Sequence, residues 1–594
     1  MYVLQAHGLA NFCVTRDERE IRNRLVYDTE TSWYKGNHPL SYSEYKELAR
    51  EHKQLLEDLR EKTREEFLEP MLLESAIDLK KVFTAANMRT ALHFTERVFT
   101  KSKTLCKDLV NFTKKILQSS INIQRKTGKS PPCNFAVIGL GSIAKGEATP
   151  YSDIEYAFIV EEHSEYFIEL AVDSYFRIGN LRETPLKCFD IEELKEASVS
   201  PEAQTVGYRI DGITKKSGNI PTGNGRADGQ SLTLTVDEFM ELYQKSAEHP
   251  FGGMAGDISD LLYSTVLVLS NQGVKSSLYE NFEKRVDEMH ESLKLSKAVA
   301  TKRVDSFSHD LEEYTFLPTF TRFQPPKNTN IKIKTDIFRY PTLLANNIKL
   351  CMGLKLSHSS DVYNKLGGQK LLQEEVYHYL KIILGISMYM RVAAYLDYRS
   401  QTETVLLTVD PYMRSSMKKR TSMLSPTLFV LLGLLLVPIK KAVKSGTELL
   451  KKPLAHQHLE KATRDVIKKL RVQRSNALLQ AEIYYFTGDY KQAKVVLSSV
   501  VRCSFETVKC LNFREQIANK FNVGASEVKY VELGCYVLYQ TGEWKAANDY
   551  LKWLMVNKRE NISLWNLLSA HCYKELCDLP RSRQLIDEVR LLDF

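Results

Sequence analysis

Between Phe135 and Val160 the chain reads FAVIGLGSIAKGEATPYSDIEYAFIV, and three features of that stretch can do chemistry. Asp153 and Glu155 stand two residues apart where an apolar run, Ile154–Val160, opens. Strand side chains alternate faces, so a strand here projects both carboxylates to one face, roughly 6.6 Å apart. Two carboxylates facing one cleft repel each other unless cations sit between them. Their hard oxygens suit Mg2+ (or Mn2+), which keeps waters and takes phosphate oxygens as its remaining ligands. Two such ions stabilise the attacking and leaving oxygens of an in-line phosphoryl displacement. Gly141-Ser142 follows the apolar run Asn134–Gly139 and offers backbone N–H groups at an expected helix start, a natural phosphate cradle. Lys145 is close enough to add a cation, and Ser142 reads either as a phosphate ligand or as a helix N-cap.

These residues need strands and helices to hold them. Residues 134–139 and 154–160 read as short buried strands, and Glu165–Phe176 as a helix. Leu186–Asp190 and Tyr208–Ile213 read as further strands, and Gly218–Gly229, with four glycines, as a loop. Upstream, residues 41–125 read as helix from charges interleaved at i, i+3 and i+4, ending at the turn-rich KTGKSPP (126–132). From Ser231 onward strand signals fade. Gln373–Leu396 spaces apolar residues as a helix on more than one face, which predicts a buried helix in an all-helical domain.

The Gly-Ser turn, a ten-residue spacer and Asp-x-Glu between apolar residues resemble the nucleotidyltransferase superfamily typified by DNA polymerase beta. More narrowly, GSIAKGEATPYSDIEY is similar to the N-terminal domain of protein-PII uridylyltransferases: Gly146, Glu147, Ser152, Asp153, Ile154 and Glu155 match its pattern. Lys145 stands where that pattern has Arg, which keeps the charge and loses the bidentate fork. The resemblance is specific over 139–155 and looser through KTDIFRYPTLLANNIKL and the helix at 373–396. It implies Mg2+-dependent (or Mn2+-dependent) transfer of a nucleoside monophosphate from a nucleoside triphosphate to an acceptor. Asp153 and Glu155 would be metal ligands, with Gly141, Ser142, Lys145, Gly146 and Ser152 on the nucleotide. A third carboxylate on a later strand is also implied. Asp211 in GYRIDGITKKSGN is the candidate, an ordinary turn residue being the other reading. His309-Asp310 lacks the further ligands of the hydrolase domain found in those enzymes and reads as a helix start.

AEIYYFTGDYKQAKVVLSSVV and CYVLYQTGEWKAANDYLKWLM share aromatics, a Gly turn (Gly488, Gly542), a small residue (Ala493, Ala546) and a leucine (Leu497, Leu551). They resemble tetratricopeptide repeats, with a weaker third unit after Asn566; an ordinary pair of helical hairpins is the alternative. Such solenoids present concave surfaces, so a protein acceptor or partner is expected there.

A chain of 594 residues is long enough for about four domains, and 43% apolar with 26% charged residues excludes disorder. The net charge of +9 is local: residues 411–474 carry +12 and the rest of the chain sums to −3. Within that block TLFVLLGLLLVPI (427–439) spans roughly 20 Å as a helix, short of a ~30 Å hydrocarbon core, so a buried helix is expected and membrane contact is the lesser reading. The basic block suits a solvated helical face, or docking of an acidic partner or nucleic acid. Ten scattered cysteines and no signal-peptide pattern at the start predict free thiols in a reducing, cytoplasmic setting.

The expected class is therefore α+β and predominantly helical. Its parts are a helical segment (1–125), a polymerase-beta-like nucleotidyltransferase domain (126–235), a helical domain (236–425), an apolar helix with basic junction (426–475) and a tetratricopeptide-like solenoid (476–594). A catalytically inactive scaffold acting through the repeats, and an RNA or oligonucleotide-synthesising transferase, are the competing functions.

Overall fold

The computed structural model describes residues 16–34, 36, 38–68, 84–183, 207–208, 233–248, 261–273, 276–294, 296–313, 329–401, 404–407, 426–451, 458–471, 477–486, 489–500, 525–557 and 562–592. Helices dominate and a small mixed sheet accompanies them, the expected helical α+β class. The described residues fall into two units, one within 1–316, 332–405 and 439–471, the other within 317–331, 406–438 and 472–594.

The first unit opens with α1 (Arg16–Trp33), α2 (Tyr42–Leu68) and α3 (Ala85–Lys126). Residues 41–125, read as helix, hold α2 and α3, and residues 69–83 lie outside the described residues. Forty-two residues make α3 about 63 Å long. The Thr84 side chain caps its start, and it stops where KTGKSPP begins, with Gly128 in the left-handed region (φ +82°). Its buried stripe, Thr95, Phe99, Ser102, Leu105, Leu109, Phe112 and Ile116, repeats every three or four residues.

The sheet comes next. β1 (Phe135–Gly139) leads through the one-turn helix α4 (Gly141–Ala144) to β2 (Tyr156–Val160) and α5 (Glu165–Gly179). β3 (Thr233–Leu234), α6 (Val236–Glu248), β4 (Val266–Ser270), α7 (Ser277–Leu293) and α8 (Lys297–Glu313) follow. The strand order is β3-β2-β1-β4. β1 and β2 are antiparallel, with Phe135 opposite Val160 and Gly139 opposite Tyr156. β2 pairs parallel with β3, and β4 pairs antiparallel with β1 across an irregularity at Val137/Ile138. β4 corrects the expectation that strands end near Ser231: VLVLS completes the sheet from beyond residue 235.

Both sheet faces are covered, which is why β1 and β2 read as unbroken apolar runs. Phe135, Val137, Tyr156, Phe158 and Val160 face a core built with Leu109, Phe112 and Ile116 of α3 and Phe167 and Leu170 of α5. The alternate residues Ala136, Ile138, Ala157 and Ile159 face Phe239, Met240, Phe282 and Val286 of α6 and α7.

The unit continues after β5 (Thr329–Lys332) with α9 (Arg339–Met352), α10 (Ser359–Gly368) and α11 (Glu374–Tyr398), before β6 (Thr404–Leu407). α11 is the buried helix the sequence predicts. It is long and apolar enough to cross a membrane, yet 94% of its apolar window is buried inside the protein. It packs on α3, where a Cβ at Gly385 would come within 2.5 Å of the Thr95 side chain. The expected helix at 427–439 lies in α12 (Pro426–Leu450), whose residues up to Pro438 belong to the second unit and those from Ile439 to the first; it passes through Pro438 and buries Leu428–Leu432, Leu434–Leu436 and Ile439. α13 (Leu459–Lys469) follows.

The second unit holds α14 (Ala477–Phe486), α15 (Tyr490–Val500), α16 (Ala525–Gln540), α17 (Trp544–Asn557), α18 (Ile562–Glu575) and α19 (Leu579–Leu592). Successive helices pack on one another. The same turn recurs three times: the amides of Asp489, Glu543 and Asp578 bond back to the carbonyls of Tyr484, Leu538 and Tyr573. Each time the residue four further on, Ala493, Ala547 or Ser582, is buried at the helix contact. The small residue of the second hairpin is therefore Ala547, one later than Ala546. The segments 186–190, 209–213, 218–229 and 411–420, read above as strands, a loop and basic chain, lie outside the described residues.

Candidate active site at the ends of β1 and β2

The antiparallel pairing of β1 and β2 brings the Gly-Ser turn and the acidic pair together. Beyond the last ladder pair, the Leu140 amide donates to the Glu155 carbonyl at 2.8 Å. Gly141 then takes φ +58° and begins α4. The Glu155 carboxylate lies directly over Gly141: a Cβ there would stand 1.3 Å from Oε2. Ile154, at 1% exposure, points into the core shared with α3, so Asp153 and Glu155 project away from it to the same side. The strand proper starts at Tyr156, and the acidic pair lies on its extended approach.

Ser142 is half-exposed at the start of α4, and its carbonyl accepts from the Glu147 amide at 2.9 Å. Lys145 is half-exposed at the end of that turn. Gly146 (φ +70°) lets the chain turn under the His358 ring, where a Cβ would come within 2.4 Å of Nδ1. The buried Glu147 accepts from the Ser359 hydroxyl, and its carbonyl accepts from Arg391 at 3.2 Å. The Gly146-Glu147 part of the motif thus ties the turn to α10 and α11. Ser152 is buried, and its hydroxyl accepts from the Thr149 amide at 2.8 Å, closing the turn that delivers Asp153. Asp153 is half-buried and accepts from the Gln401 amide group, just past α11.

A buried ion cluster supports this turn from behind. Arg60 of α2 forks onto Glu183 at 2.5 and 2.7 Å, donates to the Pro150 carbonyl at 3.1 Å, and lies 4.0 Å from the Tyr151 ring centroid. Lys53 adds a second cation at 2.7 Å. Burial raises the pKa of Glu183, but the Arg60 and Lys53 charges and hydrogen bonds outweigh it and hold the carboxyl at about 2. Glu183 also accepts from the Tyr208 amide at 2.7 Å, and the Tyr208 ring is buried against Phe112. Asp211, three residues beyond that anchor, lies outside the described residues.

Two oxygen-donor side chains beside a glycine turn fit a hard divalent cation. Among the described residues no group of three or more His, Cys, Asp or Glu is arranged to hold a metal ion. His309 and Asp310 sit in the last turn of α8, not at a helix start; His309 pairs with Glu313 at 2.7 Å and Asp310 accepts from Asn347 at 2.6 Å. The sequence reading missed Gln401, His358, Arg60 and Glu183. Each reaches the motif from many residues away, and no local pattern marks such a contact.

Gly141→Ala is expected to destabilise the protein by about 1–2 kcal/mol, because a side chain at this positive φ is strained. The new methyl also displaces the Glu155 carboxylate, a flexible group that moves readily. Urea unfolding measures the first effect. Stability equal to wild type would contradict the geometry of this turn.

No family model and no curated protein matches the chain.

Proposed function

We propose that the chain is a Mg2+-dependent nucleotidyltransferase, uridylyltransferase-like, which moves a nucleoside monophosphate from a nucleoside triphosphate to an acceptor. The observation that carries this reading is the meeting of two separate sequence features at one spot. Asp153 and Glu155 project to one side of the chain, and the Leu140–Glu155 backbone bond brings them beside the Gly141-Ser142 turn. In this reading Asp153 and Glu155 hold the metal, and Asp211, taken from the sequence resemblance, completes the set. The metal supplies positive charge to the phosphoryl oxygens. The amides of the Gly141-Ser142 turn and the Lys145 ammonium orient the triphosphate, with Gly146 and Ser152 shaping the loop that carries them. Arg60 and Glu183 position that loop from below.

The C-terminal hairpins, with one turn geometry repeated at Asp489, Glu543 and Asp578, support a tetratricopeptide-like solenoid that recruits a protein acceptor. A second reading, an inactive scaffold, draws on different contacts. Asp153 is engaged by Gln401, and Glu155 occupies the space over the glycine turn.

The deciding experiment incubates the full chain with labelled nucleoside triphosphates, Mg2+ or Mn2+ and cell lysate, beside Asp153→Ala. Label on an acceptor that needs the metal and disappears in Asp153→Ala is the expected result. Equal labelling by both proteins, or by neither, favours the scaffold. Label on nucleic acid or on a free oligomer would redirect the activity to oligonucleotide synthesis.

A further inference from the structure

Part of the basic block closes over a cavity that the transferase reading does not use. The cavity has a volume of about 330 Å³, within the range of small-molecule sites. Four elements of the first unit line it, the fourth being α9 through Cys351. Lys294 comes from the end of α7, Arg303 from α8, and His458, Glu460, Lys461 and Arg464 from the start of α13. Its apolar surface comes from Ala300, Cys351 and Leu459. It shares no residue with the Gly141 turn.

Charge in this cavity is unbalanced. Four Lys and Arg face one carboxylate, Glu460, which pairs with Arg464 at 2.7 Å. Lys294 has an ion pair with Glu291 at 2.6 Å, where Glu291 is 63% exposed and therefore screened. Among the described residues Arg303 has no carboxylate at ion-pair distance; its side chain lies 3.3 Å from Nδ1 of His290. That imidazole does not supply a negative charge. It is buried, and burial first, then the Arg303, Lys294 and Lys349 cations, lower its pKa to about 3. The start of α13 has no side-chain cap either, so its first amides add to the positive field.

Concave walls of one sign concentrate counter-ions. Guanidinium forks match phosphate oxygens in pairs. The pocket, half open to solvent, has room for a small molecule. We propose that this cavity binds a small, multiply charged phosphate compound, with Arg303 and Arg464 gripping the phosphates and Lys294 and Lys461 adding charge. The bound anion would also pin α13 to α7 and α8, joining the basic junction to the helices behind the sheet.

Calorimetric titration of the full chain with sodium tripolyphosphate in EDTA tests this, since chelation removes metal-dependent binding at the acidic pair. The variants are Lys461→Gln/Arg464→Gln, Arg303→Gln and Asp153→Ala. Lys461 is exposed and Arg464 partly so, and glutamine is a good helix former, so folding is retained. Wild type and Asp153→Ala are expected to bind alike. Both cavity variants should bind at least about tenfold more weakly, the loss expected for a charged hydrogen bond. Wild-type binding should also weaken as salt is raised. A nucleoside triphosphate run in parallel separates the sources of phosphate: equal affinity means the cavity reads phosphate alone, and tighter binding means it reads the nucleoside too. No binding by wild type, or cavity variants that bind as wild type does, would overturn the proposal. Binding lost only in Asp153→Ala would overturn it as well while leaving the transferase reading intact. Absence of transfer activity with cavity binding preserved would count against the transferase alone.

Discussion

Arg60→Met is expected to lower the unfolding free energy by about 3–5 kcal/mol, because it strands a buried carboxylate. Glu183 and Arg60 are almost fully shielded from water, with side-chain exposures of 1% and 3%. Lys53 remains beside Glu183, but it is one-third exposed and provides a single point charge in place of a fork. The substitution also removes the donor to the Pro150 carbonyl and the stacking on Tyr151, which hold the turn delivering Asp153. The proposed transfer activity, where present, should fall with stability. Urea unfolding at neutral pH measures the loss, and Arg60→Met/Glu183→Gln should recover part of it by removing the stranded charge. A loss below 1 kcal/mol would show that the cluster is not what supports the turn. The acid response follows from the same group. Its folded pKa, about 2, lies below the ordinary 4.5, so its stabilisation is present above 4.5 and is lost as pH falls toward about 2. In Glu183→Gln that part of the acid sensitivity should vanish.

The second large effect has the opposite pH sign. In the contact of α1, α3 and α5, Glu30, Asp173 and Arg177 are all fully buried, two carboxyls sharing one guanidinium. Arg177 pairs with Glu30. Asp173 instead accepts from the Tyr34 hydroxyl at 2.7 Å and from Gln124. Burial first, and then the nearby Glu30 charge, raise the Asp173 carboxyl to about 7. The His38 ring also lies 3.4 Å from Glu30; with Arg177 the one permanent cation for two acids, the arrangement of lowest energy keeps a proton on the second acid. The folded value exceeds the unfolded one, so the native state binds the extra proton; full stability is present below about 3.8 and is lost as pH rises through about 7. Asp173→Asn, which carries no charge to bury, is expected to be more stable than wild type at pH 8, by on the order of 3 kcal/mol, and nearly equal to it at pH 4. Thermal unfolding across that range measures the difference. A constant offset at all pH values would mean that Asp173 does not titrate in the folded protein.

Local pattern revealed β1, β2, α11 and α12, because burial on all sides leaves an apolar run that a single stretch displays, and α5 through its helical spacing of apolar residues. It also placed the Gly141 turn and the acidic pair, since both flank such runs. β4 escaped although Val266 and Val268 are good strand residues: five residues amid helical sequence carry little weight without a visible partner. The start of α3 at its Thr84 cap was not singled out within the helical reading of 41–125. Asp153–Gln401, Glu147–Ser359 and Arg60–Glu183 join residues more than a hundred positions apart, and tertiary packing alone creates such pairs. The resemblance named Gly146, Glu147 and Ser152 as a motif. Packing assigns each a definite contact, to His358, to Ser359 and to Thr149.

The late arrival of β4 has a consequence for synthesis. β1 and β2 leave the ribosome close together and can pair at once, but β4, on the other side of β1, follows β1 by about 130 residues. At 5–20 residues per second, the open edge of β1 waits roughly 6–25 s for its partner. Both of its faces are apolar, so a nascent chain in that interval presents a sticky, unpaired strand. The yield of this protein should then depend on translation speed between residues 140 and 270, and on chaperones that shield that edge, more than on the stability of the finished fold.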